Sequence, residues 1–162
     1  MKLLSVVGAR PQFIKSLPVS VALRAAHEEV LVHTGQHYDY NMSAVFFEEL
    51  DVAKPAYNLG VGSRPPGEQI GEMTRKLEPI VRDETPDVVL VYGDTNSTLA
   101  AAVVGAHSDA CLAHVEAGLR SHKRAMPEEI NRVLTDHAAD LLFAPTTGAV
   151  ENLQAEGLAE RT

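Results

Sequence analysis

Five short apolar runs, almost unbroken by polar residues, set the strongest limit on how this chain can fold. They are residues 3–7 (LLSVV), 30–33 (VLVH), 88–92 (VVLVY), 111–115 (CLAHV) and 141–144 (LLFA). A strand with one face in water alternates apolar and polar residues. These runs do not, so they predict strands covered on both faces, as in a parallel sheet. Helical patterns lie between them. Residues 66–84 place Ile70, Met73, Leu77, Ile80 and Val81 at three- and four-residue spacing. Residues 95–106 are rich in Ala and Leu and follow the capping run Thr95, Asn96, Ser97, Thr98. Pro127 opens a further helix with acids in its first turn, and residues 146–156 read as another. Alternating strands and helices predict an α/β fold with a parallel sheet, right-handed crossovers and helices on both faces. Residues 51–67, with three Pro and three Gly, read as one long irregular loop, and the final EGLAERT reads as a domain boundary.

At 162 residues the chain is expected to form one domain with a real core. No apolar run is long enough to cross a bilayer. The start, MKLLSVVGARP, has no small-residue cleavage site and predicts no signal peptide. The lone Cys111 sits in an apolar run, which predicts a packed thiol in a reducing compartment. Fourteen Lys and Arg stand against 22 Asp and Glu, a formal charge of −8. That excludes a nucleic-acid partner, which needs a basic face. An anionic small ligand requires a locally positive site.

In open parallel sheets, ligands bind beyond the carboxyl ends of the strands. Here four of those ends lead into turn-forming or reactive residues: Gly8-Ala9-Arg10, Thr34-Gly35-Gln36-His37, Gly93-Asp94-Thr95 and Glu116-Ala117-Gly118. One such turn needs no function, since Gly, Asp and Thr are ordinary turn and cap residues. Four on one rim point to a site. Arg10 and Lys15 flank the start of the first helix, whose free amides favour anions. Arg10 precedes Pro11 and is expected to be extended. Asp94 reads either as a helix N-cap or as an ionised site carboxylate. Glu116, directly after CLAHV, is expected to be half-buried and so to need a partner or a raised pKa. The segment 114–132, HVEAGLRSHKRAMPEEINR, mixes Glu116, Glu128 and Glu129 with Arg120, Lys123, Arg124 and Arg132. Acids beside cations suit chemistry on a negatively charged substrate. Glu128 would share a helix face with Asn131 and Arg132.

Several motifs fail. Gly62 and Gly67 have the phosphate-loop spacing, but Glu68 stands where Lys is required. The first turn lacks G-x-G-x-x-G. His114-x-Glu116 has no following P-C-x-x-C, and no H-E-x-x-H or Cys pairing exists, so no metal site is expected. There is no G-x-S-x-G elbow.

The segments GARPQFIK (8–15), HTGQHYDYNM (33–42), VYGDTNST (91–98), HVEAGLRS (114–121), MPEEINR (126–132) and LLFAPT (141–146) together resemble the N-terminal half of the non-hydrolysing UDP-N-acetylglucosamine 2-epimerases. They recur in order over nearly the whole chain, with Ala9 where Thr is common in the family. The resemblance implies a single Rossmann-like domain over 1–162, half of a glycosyltransferase-B type architecture. The family's C-terminal domain, which supplies most UDP contacts, is expected to be absent. It implies catalytic roles for Asp94, Glu116 and Glu128, with Arg10 and Lys15 holding diphosphate charge. Arg132 is expected to join them in binding substrate. The 36–37 turn, Gln36 and His37, resembles part of an activator site in bacterial members.

The resemblance also implies the reaction. The C2 proton of the sugar is not next to a carbonyl, so UDP leaves first, giving 2-acetamidoglucal, and is then re-added with C2 inverted. No cofactor or metal is implied. A cytoplasmic homodimer working on polysaccharide precursors is implied for the full-length protein, and inactivity for this half alone. A hydrolysing relative, a non-catalytic nucleotide-sugar binding module and a flavodoxin-like binding domain are the competing readings.

Overall fold

A computed structural model describes residues 1–36 and 54–162. The elements run in the order β1 (Lys2–Val7), α1 (Arg10–Arg24), β2 (Glu28–His33), β3 (Tyr57–Asn58), α2 (Pro66–Glu84), β4 (Val88–Tyr92), α3 (Asn96–Ala106), β5 (Cys111–Val115), α4 (Pro127–Ala138), β6 (Leu141–Phe143) and α5 (Thr147–Ala155), with a last 3-10 turn at Ala159–Arg161. The strands form one sheet in the order β3-β2-β1-β4-β5-β6. Every described pairing is parallel.

The runs in β1, β2, β4 and β5 are strands for the reason expected, with both faces covered; β6, at the sheet edge, departs from it, burying Leu142 while Leu141 and Phe143 are exposed. Leu4, Val6, Val30, Val32, Val89, Val91 and Leu112 pack against Met73, Leu77 and Val81 of α2, Ala100–Ala102 and Val104 of α3, and Leu153 of α5. The alternate residues Leu3, Val7, Leu31, Val88, Leu90 and Tyr92 face Phe13, Val19 and Leu23 of α1. Fully burying one such aliphatic side chain contributes about 1.5–3 kcal/mol, so this two-sided core fixes the register of each strand. Cys111 is partly exposed, and burial together with Asp140 raises its thiol pKa. No helix among the described residues is long and apolar enough to cross a membrane.

Two local expectations are corrected. The 51–67 stretch is not loop throughout: Tyr57 and Asn58 pair with Val32 and His33 as an edge strand. Two residues are too few to show a period, and the flanking Pro and Gly hide them; residues 51–53 lie outside the described residues. Arg10 is also not extended. It is the first residue of α1, with Ala9 as N-cap. Pro11 follows at the helix start, where a missing N–H costs nothing.

The order of the sheet reverses between β1 and β4. The chain leaves β1 for α1 on one face and leaves β4 for α3 on the other. The crevice at such a reversal, beyond the strand ends, is where open α/β sheets take ligands.

Candidate functional site

The turn after β1 is built on Gly8, and nothing larger fits. A Cβ there would stand 2.0 Å from Ser97 Oγ and 2.2 Å from Thr34 Oγ1. Gln12, one turn into α1 and buried, then ties two strand ends together. Its Oε1 accepts from the Gly8 and Ala9 amides at 2.8 and 3.0 Å. Its Nε2 donates to Tyr92 O at 2.7 Å and Thr98 Oγ1 at 2.9 Å. The start of α3 is capped by Thr95, not by Asp94, which leaves the Asp94 carboxylate available to the site.

Asp94 and Glu116 follow neighbouring strands, so the sheet itself sets them side by side. Asp94 is held by the Arg132 guanidinium through Nη2. Its carbonyl accepts from Asn131 Nδ2 at 3.0 Å. Glu116 Oε2 lies 2.5 Å from Lys15 Nζ. Both atoms stand over Gly93. A Cβ at Gly93 would be 3.1 Å from Glu116 Oε2, and its φ of 63° is one that glycine adopts freely. Glu116 itself has φ 76°, a left-handed conformation that costs a residue with a Cβ about 1–3 kcal/mol. The cost is met by the surroundings, since the Glu116 and Ala117 amides both donate to Phe143 O at 3.1 Å. Strain of this kind aims a side chain where an ordinary turn would not.

Arg132 is committed to two carboxylates but not fully satisfied. Nη1 reaches Glu129 Oε2 at 3.1 Å, Nη2 reaches Asp94, and buried Nε has no partner among the described residues. Glu129 is buried. Burial pushes its carboxyl up, but the Ser121 amide and hydroxyl and the His122 amide outweigh this and hold it below the usual carboxylate value. Glu128 stands one turn ahead of Asn131 and Arg132, exposed, with no hydrogen bond or ion pair among the described residues.

Of the residues singled out from sequence, Lys15, Asp94, Glu116 and Arg132 meet at one edge. The helix that bears Glu128 is fastened to that edge through Asn131 and Arg132. Arg10 is exposed at the start of α1, on the same rim. Gln36 fastens the first turn of α3, its Oε1 accepting from Ser97 N at 3.0 Å and Ser97 Oγ at 2.6 Å. His37 lies outside the described residues. Arg120, counted above among the anion-holding cations, is otherwise engaged: it is forked onto Glu156 and bonded to Asp136, and is nearly inaccessible. The sequence marks Asn96 only as part of a helix cap and Asn131 only as a neighbour of Glu128 on a helix face, and it does not mark Gln12 or Asp136. Their signal was polar residues on otherwise buried helix faces, such as Asn131, Thr135 and Asp136 on α4.

A chemical capacity follows. Two carboxylates, each beside a cation, stand partly exposed at adjacent strand ends, and a third lies on the helix that carries Arg132. Such a set can take a proton from one face of a bound ring, return one to the other, and steady a departing anion. No cluster of three or more metal-ligating side chains exists among the described residues.

The family model described as UDP-N-acetylglucosamine 2-epimerase matches residues 21–162. A UDP-N-acetylglucosamine 2-epimerase homolog of Methanococcus maripaludis is 57% identical over 98% of this chain and 44% of its own length. A UDP-2,3-diacetamido-2,3-dideoxy-D-glucuronate 2-epimerase of Pseudomonas aeruginosa is 50% identical over 97% of this chain and 45% of its own. The crystal structure of the Methanocaldococcus jannaschii UDP-GlcNAc 2-epimerase, in complex with UDP-GlcNAc and UDP, superposes with a TM-score of 0.96 at 50% identity, covering 99% of this chain and 45% of that one. The chain therefore spans about half the length of the relatives it matches.

Proposed function

Because this chain belongs to the UDP-N-acetylglucosamine 2-epimerase family, we propose that it is the N-terminal catalytic half of an enzyme that interconverts UDP-N-acetylglucosamine and UDP-N-acetylmannosamine. The observation that carries this reading is the meeting of Lys15–Glu116 with Arg132–Asp94 at adjacent strand ends.

The chemistry runs in two steps. A site carboxylate takes the C2 proton as the C1–O bond to UDP breaks. The C–H electrons form the C1–C2 double bond, and the bond to oxygen leaves with UDP. A carboxylate on the other face then returns a proton to C2, and the UDP oxygen reattacks C1. Asp94, Glu116 and Glu128 are the acid/base candidates; Arg10, Lys15 and Arg132 hold diphosphate and leaving-group charge. The three acids cannot all ionise readily when a ring brings them close, which would split their roles. No cofactor enters this balance.

The half chain is read as inactive without a second domain to hold the uridine, and the longer protein as a cytoplasmic homodimer that serves polysaccharide precursors. Gln36 and His37 remain candidates for an activator contact. A second substrate is favoured by the Pseudomonas relative, named for a UDP sugar that also carries a 2-acetamido group beside C1. The same proton transfers would act on it.

Product analysis tests the reading. The chain is joined to the C-terminal half of the Methanocaldococcus relative and given UDP-N-acetylglucosamine. UDP-N-acetylmannosamine is the expected product. Free N-acetylmannosamine with UDP would mark a hydrolysing enzyme, and tight binding with no turnover a binding module.

A further inference from the structure

β5 turns a histidine into the interior directly behind the candidate carboxylates. His114 is fully buried. Its Nε2 lies 2.7 Å from Gly93 O, and its Nδ1 lies 2.6 Å from Asp136 Oδ1. A carbonyl and an ionised carboxylate only accept, so the ring donates from both nitrogens. Asp136 is fully buried too, and its other oxygen accepts from Gly118 N at 3.0 Å and Arg120 Nη1 at 2.7 Å. Burial opposes its charge, yet the bonds from His114, Arg120 and Gly118 win and hold its carboxyl below the ordinary range. Arg120 in turn grips Glu156 at 2.8 and 2.7 Å.

The two ends of this network are the two turns that present the acids. Gly93 immediately precedes Asp94. Its carbonyl is taken by His114, and its amide donates to Val115 O at 3.0 Å. Gly118 lies two residues past Glu116. Three consecutive amides are therefore tied down around the left-handed Glu116: those of Glu116 and Ala117 to Phe143 O, and that of Gly118 to Asp136. The first two bonds depend on the backbone alone. The third, and the bond to Gly93 O, depend on side chains from α4 and β5.

We propose that Asp136 is a positioning residue for both strand-end carboxylates: through His114 it fixes the turn before Asp94, and directly through Gly118 it fixes the turn after Glu116. One buried carboxylate then sets the spacing of the pair. The inference rests on the reading of Asp94 and Glu116 as acid/base groups. It goes beyond that reading because Asp136, buried beneath the crevice, touches no substrate.

The test has two arms. In the first, nitrogen-15 NMR of the chain itself should show hydrogens on both ring nitrogens of His114. The Asp136→Asn variant should lose that signature, and in its crystal structure Glu116 should leave the left-handed conformation. In the second, the chain joined to the Methanocaldococcus C-terminal half is assayed for C2 exchange. Asp136→Asn should lower kcat about 100-fold, the scale of a small misplacement of reacting groups, with KM little changed. Asp140→Asn is the control. Asp140 Oδ2 accepts from Leu112 N at 2.9 Å, near the opposite end of β5, and its loss should lower stability but not kcat. A lone pair on His114 Nδ1 in the wild type would overturn the proposal. So would Asp136→Asn with a wild-type kcat and an unmoved Glu116. If Asp136→Asn does not fold, the wild-type ring signature and the kcat of His114→Gln decide. Absence of all exchange in the wild type would instead sink the epimerase reading and leave the NMR arm to judge the network.

Discussion

Lys15 Nζ rests 2.5 Å from Glu116 Oε2, joining two residues 101 positions apart. Both side chains are partly exposed, at 43% and 25%. A pair this wet is weakly held, and under the proposed function an arriving diphosphate would compete with Glu116 for the ammonium. Glu116→Gln should lower turnover of the joined enzyme about 10²–10⁴-fold, the usual weight of an acid/base group, with little change in urea midpoint. Lys15→Met should raise KM as well as lower kcat. Substrate titration of each variant reads both effects. A Glu116→Gln enzyme with near wild-type turnover would remove it from the acid/base set.

Arg132 bridges Asp94 and the buried Glu129. Arg132→Met leaves both acids without their cation and should cost about 1.5–3 kcal/mol, the range for hydrogen bonds to charged groups. Urea unfolding of the chain measures it. A loss too small to resolve would mean that the Ser121 and His122 bonds to Glu129 suffice.

Acid should weaken the fold in two stages. Burial lowers His33 from its ordinary 6.5, with Asn58 opposing. The unfolded chain then binds a proton that the folded one refuses, so stability present above 6.5 is lost as pH falls below it. Asp136 and Glu129 are held below their ordinary 3.8 and 4.5 despite burial. Their stabilisation is present above those values and is lost as pH falls through the depressed folded ones. Urea midpoints measured from pH 7 downward should show a gentle decline, then a steep one. His33→Gln should remove part of the first stage and Asp136→Asn part of the second. A midpoint that stays flat below pH 6.5 would contradict the assignment for His33.

Gly8→Ala asks for space that Ser97 and Thr34 already fill. Overpacking of this kind costs about 1–3 kcal/mol. Here it would also disturb the two amides that Gln12 accepts from. Thermal melting tests the loss, and an unchanged melt would show that the turn can yield.

The four central strands were legible because they are apolar on both faces, as in VVLVY, and short enough to be strands. Helix starts were legible where chemistry marks them, at Pro66, Thr95 and Pro127. Glu116 stood out because it directly follows an apolar run, and Asp94 because only Gly93 separates it from one. What stayed hidden is contact across distance. Nothing local says that Gln12 reaches Tyr92 and Thr98, that Asn131 reaches Asp94, or that Asp136 reaches His114. Arg120 misled for the same reason: its partner Glu156 lies 36 residues on. Between the adjacent acids of α4, only folding shows that Glu129 turns inward while Glu128 stays exposed.

The most direct measurement of the account is hydrogen exchange at C2. UDP-N-acetylglucosamine is incubated in deuterated water with this chain joined to a C-terminal half, and the recovered sugar is read by proton NMR. The account predicts deuterium at C2 in both epimers, with exchange slowed about 10²–10⁴-fold in Glu116→Gln. Epimers that keep their original C2 proton would contradict it.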